Sequence, residues 1–501
     1  MKRALMRIVS RARRASWWEI LLALAALQAG GCTVGPNYHA PVTQIPPAYK
    51  EAAGWKPAEP NDQNLGGDWW TLFQDPQLNA LELEVGVSNQ NLKAAEAQYQ
   101  EERAVLRYSR ADLYPTVTGD PSASRTRTSF NRPPPSSAFN GITYNDYVLP
   151  VDVSYEADVW GRVRRTVEAA REQAQASAAD LATVNLSMHA DLAVDYFEAR
   201  SLDAEEQLLS STAAQYQRYL ELTLNRFQGG LSSEVEVQQA RTQLETTQAQ
   251  AIDVGVLRAQ YEHAVAILIG KPPAEFSLAP LPLTAPPPPI PVSMPSDLLE
   301  RRPDIAAAER RVAAANAEIG VAKAAYYPTI SLGASGGLET ADITSLFNGP
   351  SALWSIGASA VFTVFDVGRR RALNDEAREA YDAQVATYRE TVLTGFQQVE
   401  DNLAALKILE NEAAVQDQAV AAAQSSLELS IMRYEGGVTS YLEVTVAQSA
   451  ALSDEVTAVN ILGRRLASAV LLIQALGGGW DRSSVPPRPE CCGSLASANS
   501  N

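Results

Sequence analysis

Two hydrophobic periods run along this chain, and each occurs twice. From position 151 the residues alternate, apolar Val151, Val153, Tyr155, Ala157 and Val159 against polar Asp152, Ser154, Glu156 and Asp158. Successive side chains of a strand leave the backbone on opposite sides, so this stretch predicts a strand with one greasy face and one wet, charged face. Further on, Trp354, Ile356, Ala358, Ala360, Phe362 and Val364 alternate with Ser355, Gly357, Ser359 and Thr363, broken at Val361. Weaker partner strands are predicted over about 116–126 and 329–338. The second period is helical. Val385, Tyr388, Val392, Phe396, Val399, Leu403 and Leu406 fall at three-and-four spacing, the seam of a coiled coil.

Proline marks how far such helices can run, because an interior proline costs a helix about 3 kcal/mol. It crowds residues 36–60, 115–150 and 272–303 and is absent from 151–271 and 351–485. Between Arg162 and Gln228 there is neither proline nor glycine. At 1.5 Å per residue that run predicts one helix of roughly 100 Å. The stretch from Arg369 to Glu435 is nearly its equal, interrupted only by Gly395.

The chain is also written twice. Arg226-Phe227-Gln228-Gly229-Gly230-Leu231-Ser232-Ser233 returns as Arg433-Tyr434-Glu435-Gly436-Gly437-Val438-Thr439-Ser440, a shift of 207 residues that also relates Gly270 to Gly477. Upstream, Tyr114-Pro115-Thr116-Val117 returns as Tyr327-Pro328-Thr329-Ile330, and Ala94-Ala95-Glu96 as Ala307-Ala308-Glu309, both shifted by 213. Each half reads helix, segment, loop, segment, very long helix, Gly-Gly turn, return helix, a duplicated architecture. Strands of about ten residues with one apolar and one polar face fit a transmembrane β-barrel. Four strands cannot close one, and an open edge in lipid strands its backbone groups, so the barrel must be shared with further copies of the chain. Two copies would give eight strands and a filled interior; three would give twelve and a lumen, which a pore favours.

Composition narrows the chemistry. Residues 1–31 carry a basic stretch, an apolar core from Trp17 to Leu27 and small residues ahead of Cys32, the layout of a signal peptide. A cysteine at the cut site marks Cys32 for lipid attachment, although Ala29 stands where such signals usually carry leucine. Removing those residues takes the net charge from −17 to about −22, which argues against nucleic acid as a partner. The next cysteines are Cys491-Cys492, so no disulfide framework braces the body. His39, His189 and His263 lack metal-ligand spacing, and no phosphate loop, zinc motif or nucleophile elbow is present. The expectation is therefore no catalytic residue, no metal, no cofactor beyond the covalent lipid, and no enzyme.

Together, Cys32-Thr33-Val34-Gly35-Pro36-Asn37-Tyr38, Trp69-Trp70 before Phe73, Asp75 and Pro76, Arg302-Pro303-Asp304-Ile305, Tyr327-Pro328, Phe365-Asp366-Val367-Gly368-Arg369 and the duplicated Arg-aromatic-x-x-Gly turn resemble the TolC-like outer membrane factor family, in its lipoprotein branch serving resistance-nodulation-division efflux pumps. The likeness runs from Cys32 to about Trp480. It implies a mainly α fold with a membrane β-barrel: four transmembrane strands and long coiled-coil helices per chain, trimerising into a 12-stranded β-barrel on a 12-helix α-barrel. It further implies a passive conduit for drugs or small solutes, a diacylglyceryl and N-acyl lipid on Cys32, an outer-membrane location in a Gram-negative bacterium with extension into the periplasm, and a periplasmic adaptor and inner-membrane transporter as partners. The other readings are a type I secretion exit channel for proteins, which shares the fold, and a non-channel scaffold lipoprotein, which would have no need of a wet strand face.

The expected organisation is a signal peptide (1–31), an N-terminal lipoprotein segment and extended arm (32–77), a first repeat (78–290), a second repeat (291–480) and a disordered tail (481–501). In the family's architecture the turns at Gly229-Gly230 and Gly436-Gly437 are periplasmic tips. Glycine there permits the positive φ that ends a helix. Arg226 and Arg433 sit in the last turn, where a cation complements the helix dipole. By resemblance Arg226, Ser233, Arg433 and Ser440 also contact the adaptor. Glu236 and Glu443 occupy equivalent places just beyond, a candidate cation-favouring entrance gate. Relatives often place a constricting aspartate three residues after Glu443, where this chain has Val446, with Gln239 as its first-copy counterpart.

Overall fold

The computed structural model describes residues 33–52, 68–131, 141–283, 285–290 and 298–480. Residues 1–32, on which the expected signal peptide and the lipid-attachment residue Cys32 fall, and residues 481–501, the expected disordered tail with Cys491-Cys492, lie outside them. The described chain runs α1 (Pro76–Ser88), α2 (Gln90–Ala111), β1 (Thr116–Gly119), β2 (Ser122–Arg127), β3 (Thr143–Ala157), α3 (Arg162–Gln228), α4 (Glu234–Leu268), α5 (Leu298–Arg301), α6 (Pro303–Ala324), β4 (Thr329–Thr340), β5 (Ala352–Val361), α7 (Arg369–Glu435) and α8 (Tyr441–Ala475). Both long helices have 67 residues and the bounds that the proline- and glycine-poor runs predict. Two compact units result, and they cut across the repeats: one takes residues up to Pro41, Gln100–Ala176 and Ala308–Thr387, the other Val42–Tyr99, Ser177–Ala307 and everything from Tyr388.

The first unit holds one antiparallel sheet. β3 pairs with β4 and β4 with β5, while β1 and β2 both pair with the other edge of β3. The pairs Gly119↔Val151 and Ser122↔Val148 keep one register, so β1 and β2 are a single strand interrupted at Asp120-Pro121. That break lies opposite Leu149-Pro150, and two prolines without an N–H to donate account for it. β3 begins eight residues before the alternation at 151 that announces it, because Val148 and Pro150 blur the period there.

Beside the sheet, the first described residues are clamped to the start of α3 and to the body of α6. The Val34 N–H donates to the Trp160 carbonyl at 3.0 Å, and the buried Arg165 reaches the Asn37 side chain at 3.0 Å. Asn316 donates to the Pro36 carbonyl at 3.1 Å, and the Tyr38 hydroxyl donates to Glu309 at 3.1 Å. The Thr-Val-Gly-Pro-Asn-Tyr run is thus a strap across α3 and α6. Asp158 and Asp366 start the two long helices in a similar way, Asp158 accepting from the backbone N–H groups of Val163 and Arg164 and Asp366 from those of Gly368 and Arg370, and they pair with Arg164 and Arg370.

In the second unit the duplication becomes geometry. Asn89 donates from its side chain to the Leu268 carbonyl at 2.8 Å, and Arg302 donates to the Ala475 carbonyl at 3.1 Å. Those residue pairs are related by the sequence shifts of the two copies. Gly270 (φ 72°) and Gly477 (φ 93°), which end the return helices, sit against the carbonyls of Ser88 and Arg301, again equivalent residues. The predicted seam of α7 is packed, with Tyr388, Val392, Phe396, Val399, Leu403 and Leu406 buried. α8 is long and apolar enough to cross a bilayer, with a mean hydropathy of 1.5 over its most apolar window. Instead Ile461, Leu466, Ala469, Val470, Leu472 and Ile473 are buried within the protein.

The Trp69-Trp70 signature docks on α3 through ring packing and buried polar pairs. Tyr196 donates to Asp75, the N-cap of α1, at 2.7 Å. Arg200, almost fully buried, reaches Asp203, Gln77 and the Ala279 carbonyl at 2.8, 2.7 and 2.6 Å. His189 stacks on Trp70 with ring centroids 4.5 Å apart and shares a 2.6 Å hydrogen bond with the fully buried Glu82. Burial raises Glu82 to about 9 and lowers His189 to about 4, so one proton is held between them at neutral pH. Unfolded glutamate gives up its proton near 4.5, whereas the folded pair keeps it to about 9. The Glu82 contribution is therefore complete below the unfolded value and is lost as pH rises through the folded one. Above the ordinary histidine range no opposing His189 contribution remains, so the loss approaches about 1.4 kcal/mol per pH unit. Glu82→Gln, which mimics the protonated acid, should match the parent near pH 5 and exceed it increasingly toward pH 9 in chemical denaturation. Parallel pH profiles for the two proteins would refute the shared proton.

Candidate functional site

Two regions carry the features that a conduit requires: the sheet and the paired helical turns. The register of the sheet keeps faces together across every strand. Val117, Val153, Ala334 and Ile356 fall on one face, joined by Val151, Tyr155, Leu332, Ala358 and the 79 % exposed Trp354. The opposite face carries Thr118, Asp152, Ser335 and Ser355, together with Ser154, Gly333, Gly357 and Ser359. An open cavity of about 390 Å³ lies along this polar face from Asp152 to Ser359. No sheet partner covers the outer edge of β5 or of β1 and β2 among the described residues. The alternation in the sequence therefore becomes one apolar wall and one wet wall, each continuous over four strands.

At the turns, both long helices close by the same pair of bonds. Leu231 donates to the Arg226 carbonyl at 2.8 Å and Gly230 to that of Phe227 at 2.9 Å; Val438 and Gly437 repeat this with Arg433 and Tyr434 at 2.9 and 3.0 Å. This is the Schellman closure, and only its second glycine is left-handed, φ 72° at both Gly230 and Gly437. Gly229 and Gly436 do not have positive φ; the turn needs it only at the second glycine of each pair.

The charged residues divide unevenly between the copies. Arg226 lies over the Tyr434 ring at 4.7 Å and donates to the Glu435 carbonyl at 3.2 Å, the C-terminus of the other long helix. Ser233 is the N-cap of α4 in a capping box with Glu236. The Glu236 carboxylate also accepts from the Ser232 hydroxyl and from the Tyr441 N–H, the latter at 3.4 Å, at the start of α8. One repeat thus supplies a cation to the C-terminus and an anion to the N-terminus of its counterpart's helices, the favourable sense for both dipoles. Partial burial pushes Glu236 upward, but its hydrogen bonds from Ser232, Ser233 and Tyr441 and the charge of Arg226 outweigh this and hold it below the usual carboxylate range. The second copy does not reciprocate. Arg433 pairs with Glu443 at 2.8 Å, the Thr439 hydroxyl also donates to Glu443, and Ser440 caps α8 without a side-chain bond.

Val446 is 63 % exposed. Gln239 lines a shallow groove of about 500 Å³ with Glu234, Val235, Gln238, Gln243 and Thr445. The core beneath the turns holds residues that motif reading passes over: Tyr216, Tyr434 and Tyr441 with Val237, Leu244 and Val444. Tyr434 and Tyr441 meet edge to face at 5.3 Å, and Gln448 is fully buried beside them. A signal was available, since the repeat sets Tyr441 against Glu234 and Gln448 against Arg241. Among the described residues no cluster of His, Cys, Asp or Glu could hold a metal ion.

The outer membrane efflux protein family profile matches residues 84–271 and 294–478. The antibiotic efflux pump outer membrane protein ArpC of Pseudomonas putida is 34 % identical over 463 residues, 92 % of this chain and 95 % of its own length. The cation efflux system protein CusC of Escherichia coli O6:H1 is 30 % identical over 473 residues, 93 % of this chain and 99 % of its own. The Campylobacter jejuni CmeC outer membrane channel superposes with a TM-score of 0.84 at 26 % identity, covering 90 % of this chain and 96 % of its own. With its two-faced sheet, paired 67-residue helices and duplicated turns, the chain belongs to the outer membrane efflux protein family and is an outer-membrane channel of an efflux pump, not an enzyme.

Proposed function

We propose that three copies of this chain join their sheets edge to edge into a closed 12-stranded barrel, apolar outward and wet inward, anchored in addition by a lipid on Cys32. The observation that carries this reading is the four-strand sheet with opposed faces and two unpaired edges, which is stable in lipid only when the edges meet further copies. Solutes enter through the helical turns from a periplasmic adaptor and an inner-membrane transporter. Arg226, Gly229, Gly230, Ser233, Arg433, Gly436, Gly437 and Ser440 form the adaptor-facing tip. Glu236, Glu443, Gln239 and Val446 line the entrance. Relatives are named for antibiotic efflux and for cation efflux, so the fold sets a conduit and leaves substrate choice to the pump.

Planar-bilayer recording of the purified protein tests the conduit: reproducible channels are expected, and silence from a correctly assembled oligomer would refute it. Native mass should give three subunits, with acyl chains on the peptide that begins at Cys32. Glu236→Gln with Glu443→Gln should lower cation preference. An unmoved reversal potential, with a shift instead from Asp146→Asn and Asp152→Asn, would place selectivity on the wet wall of the sheet.

A further inference from the structure

The apolar face of the sheet ends in a collar of different chemistry. Leu149 opposite Leu338 is its last wholly aliphatic pair. Beyond it come Tyr147 opposite Thr340, Asn145 opposite Arg125 and Thr143 opposite Arg127. Arg125 and Arg127 are one pleat apart, and their register places both on the face of Val117, Val153 and Ile356, not on the wet face of Asp152 and Ser355. Both are exposed, and neither has an ion pair among the described residues.

Their height is informative. The apolar face of β3 from Leu149 to Ala157 runs about 27 Å along the strand. Tilted by about 35–45° as barrel strands are, that length rises about 20 Å and fills most of the apolar band of an outer-membrane barrel, about 25 Å tall. Arg125 and Arg127, opposite Asn145 and Thr143, stand two and three pleats above Leu149, at the strand ends joined by residues 128–142 and remote from those that lead into α3 and α7. A guanidinium on the lipid-facing wall is tolerated there and not within the hydrocarbon. Its planar fork matches phosphate with two parallel hydrogen bonds. The tyrosine, asparagine and threonine side chains beside it suit the sugar of a headgroup.

We propose that Arg125 and Arg127 form a phosphate-binding collar for the phosphorylated glycolipid of the outer leaflet, an inference that rests on the membrane placement of the sheet. The full-length assembled channel, purified in non-ionic detergent, is titrated by native mass spectrometry with bisphosphorylated lipid A and with the same lipid stripped of its phosphates. The parent should prefer the phosphorylated lipid, and Arg125→Gln with Arg127→Gln should weaken that binding about tenfold or more, as expected for two lost charge-assisted contacts. Lysine at both positions should restore part of the affinity, and the stripped lipid should bind all three proteins alike. Equal binding of phosphorylated lipid by parent and glutamine variant overturns the proposal. So does a variant that binds lipid normally but falls apart into subunits, which would assign the arginines to the neighbouring copy. Bilayer recording of the same samples separates the premises: channels without phosphate preference defeat the collar alone, whereas absent channels defeat the membrane placement and the collar with it.

Discussion

Ile356→Arg should abolish assembly of the channel in the outer membrane, whereas Ser355→Arg, one residue away, should leave assembly intact and alter only conduction. The two positions are adjacent on β5 and face opposite ways: Ile356 pairs with Ala334 on the apolar wall, and Ser355 pairs with Ser335 on the wet wall. An arginine at mid-height on a lipid-facing strand costs about 2–4 kcal/mol, and every subunit of an oligomer would carry it. On the wet wall the same side chain stays hydrated and adds a cation to a lining that includes Asp152. Heat-resistant oligomer in membrane extracts, read by gel mobility, measures the first effect. Reversal potential in a salt gradient measures the second, expected to move toward anions. Similar loss of oligomer from both variants would mean that the two faces of the sheet are not lipid and water.

Gly477→Ala should destabilise the protein far more than Gly230→Ala, although both glycines are left-handed, at φ 93° and 72°. An added Cβ at Gly477 would lie 2.0 Å from the Arg301 carbonyl oxygen, while at Gly230 nothing lies within 4 Å. Alanine at Gly230 therefore bears only the left-handed cost, about 1–2 kcal/mol. At Gly477 overpacking against rigid backbone adds about 1–3 kcal/mol more. Gly270→Ala should behave like Gly477→Ala, because its Cβ would lie 2.4 Å from the Ser88 carbonyl oxygen. Thermal dissociation of the detergent-solubilised protein ranks the three. Equal shifts would mean that these close approaches relax at no cost.

Much of this was legible in advance. The bounds of α3 and α7 follow from where proline and glycine are missing, because backbone geometry alone forbids the alternatives. The face of every residue on β5 follows from parity, since a strand has only two sides. The early start of β3 was not legible: Pro150 sits within a strand that tolerates it only because the facing strand is broken at Asp120-Pro121. His189 reads as an ordinary helical residue until Glu82, 107 positions away, is brought against it. At the turns, the residue types and their equivalence were plain in the repeat. Their division of labour was not: Tyr441 replaces Glu234 two residues ahead of the equivalent glutamates, but only the packing of its ring shows what that difference does.

By itself the sequence determined the duplicated plan, the two long helices and the two faces of the sheet, all consequences of local backbone preference and hydrophobic period. Only the tertiary structure decided that Arg226 and Glu236 cap the helices of the opposite repeat while Arg433 and Glu443 pair with each other. The reason is packing: Tyr441 stands where the first copy has Glu234 and is buried against Tyr434, so the two hairpins meet through unlike surfaces. Which charges cap and which pair depends on that meeting, and no periodicity along the chain encodes it.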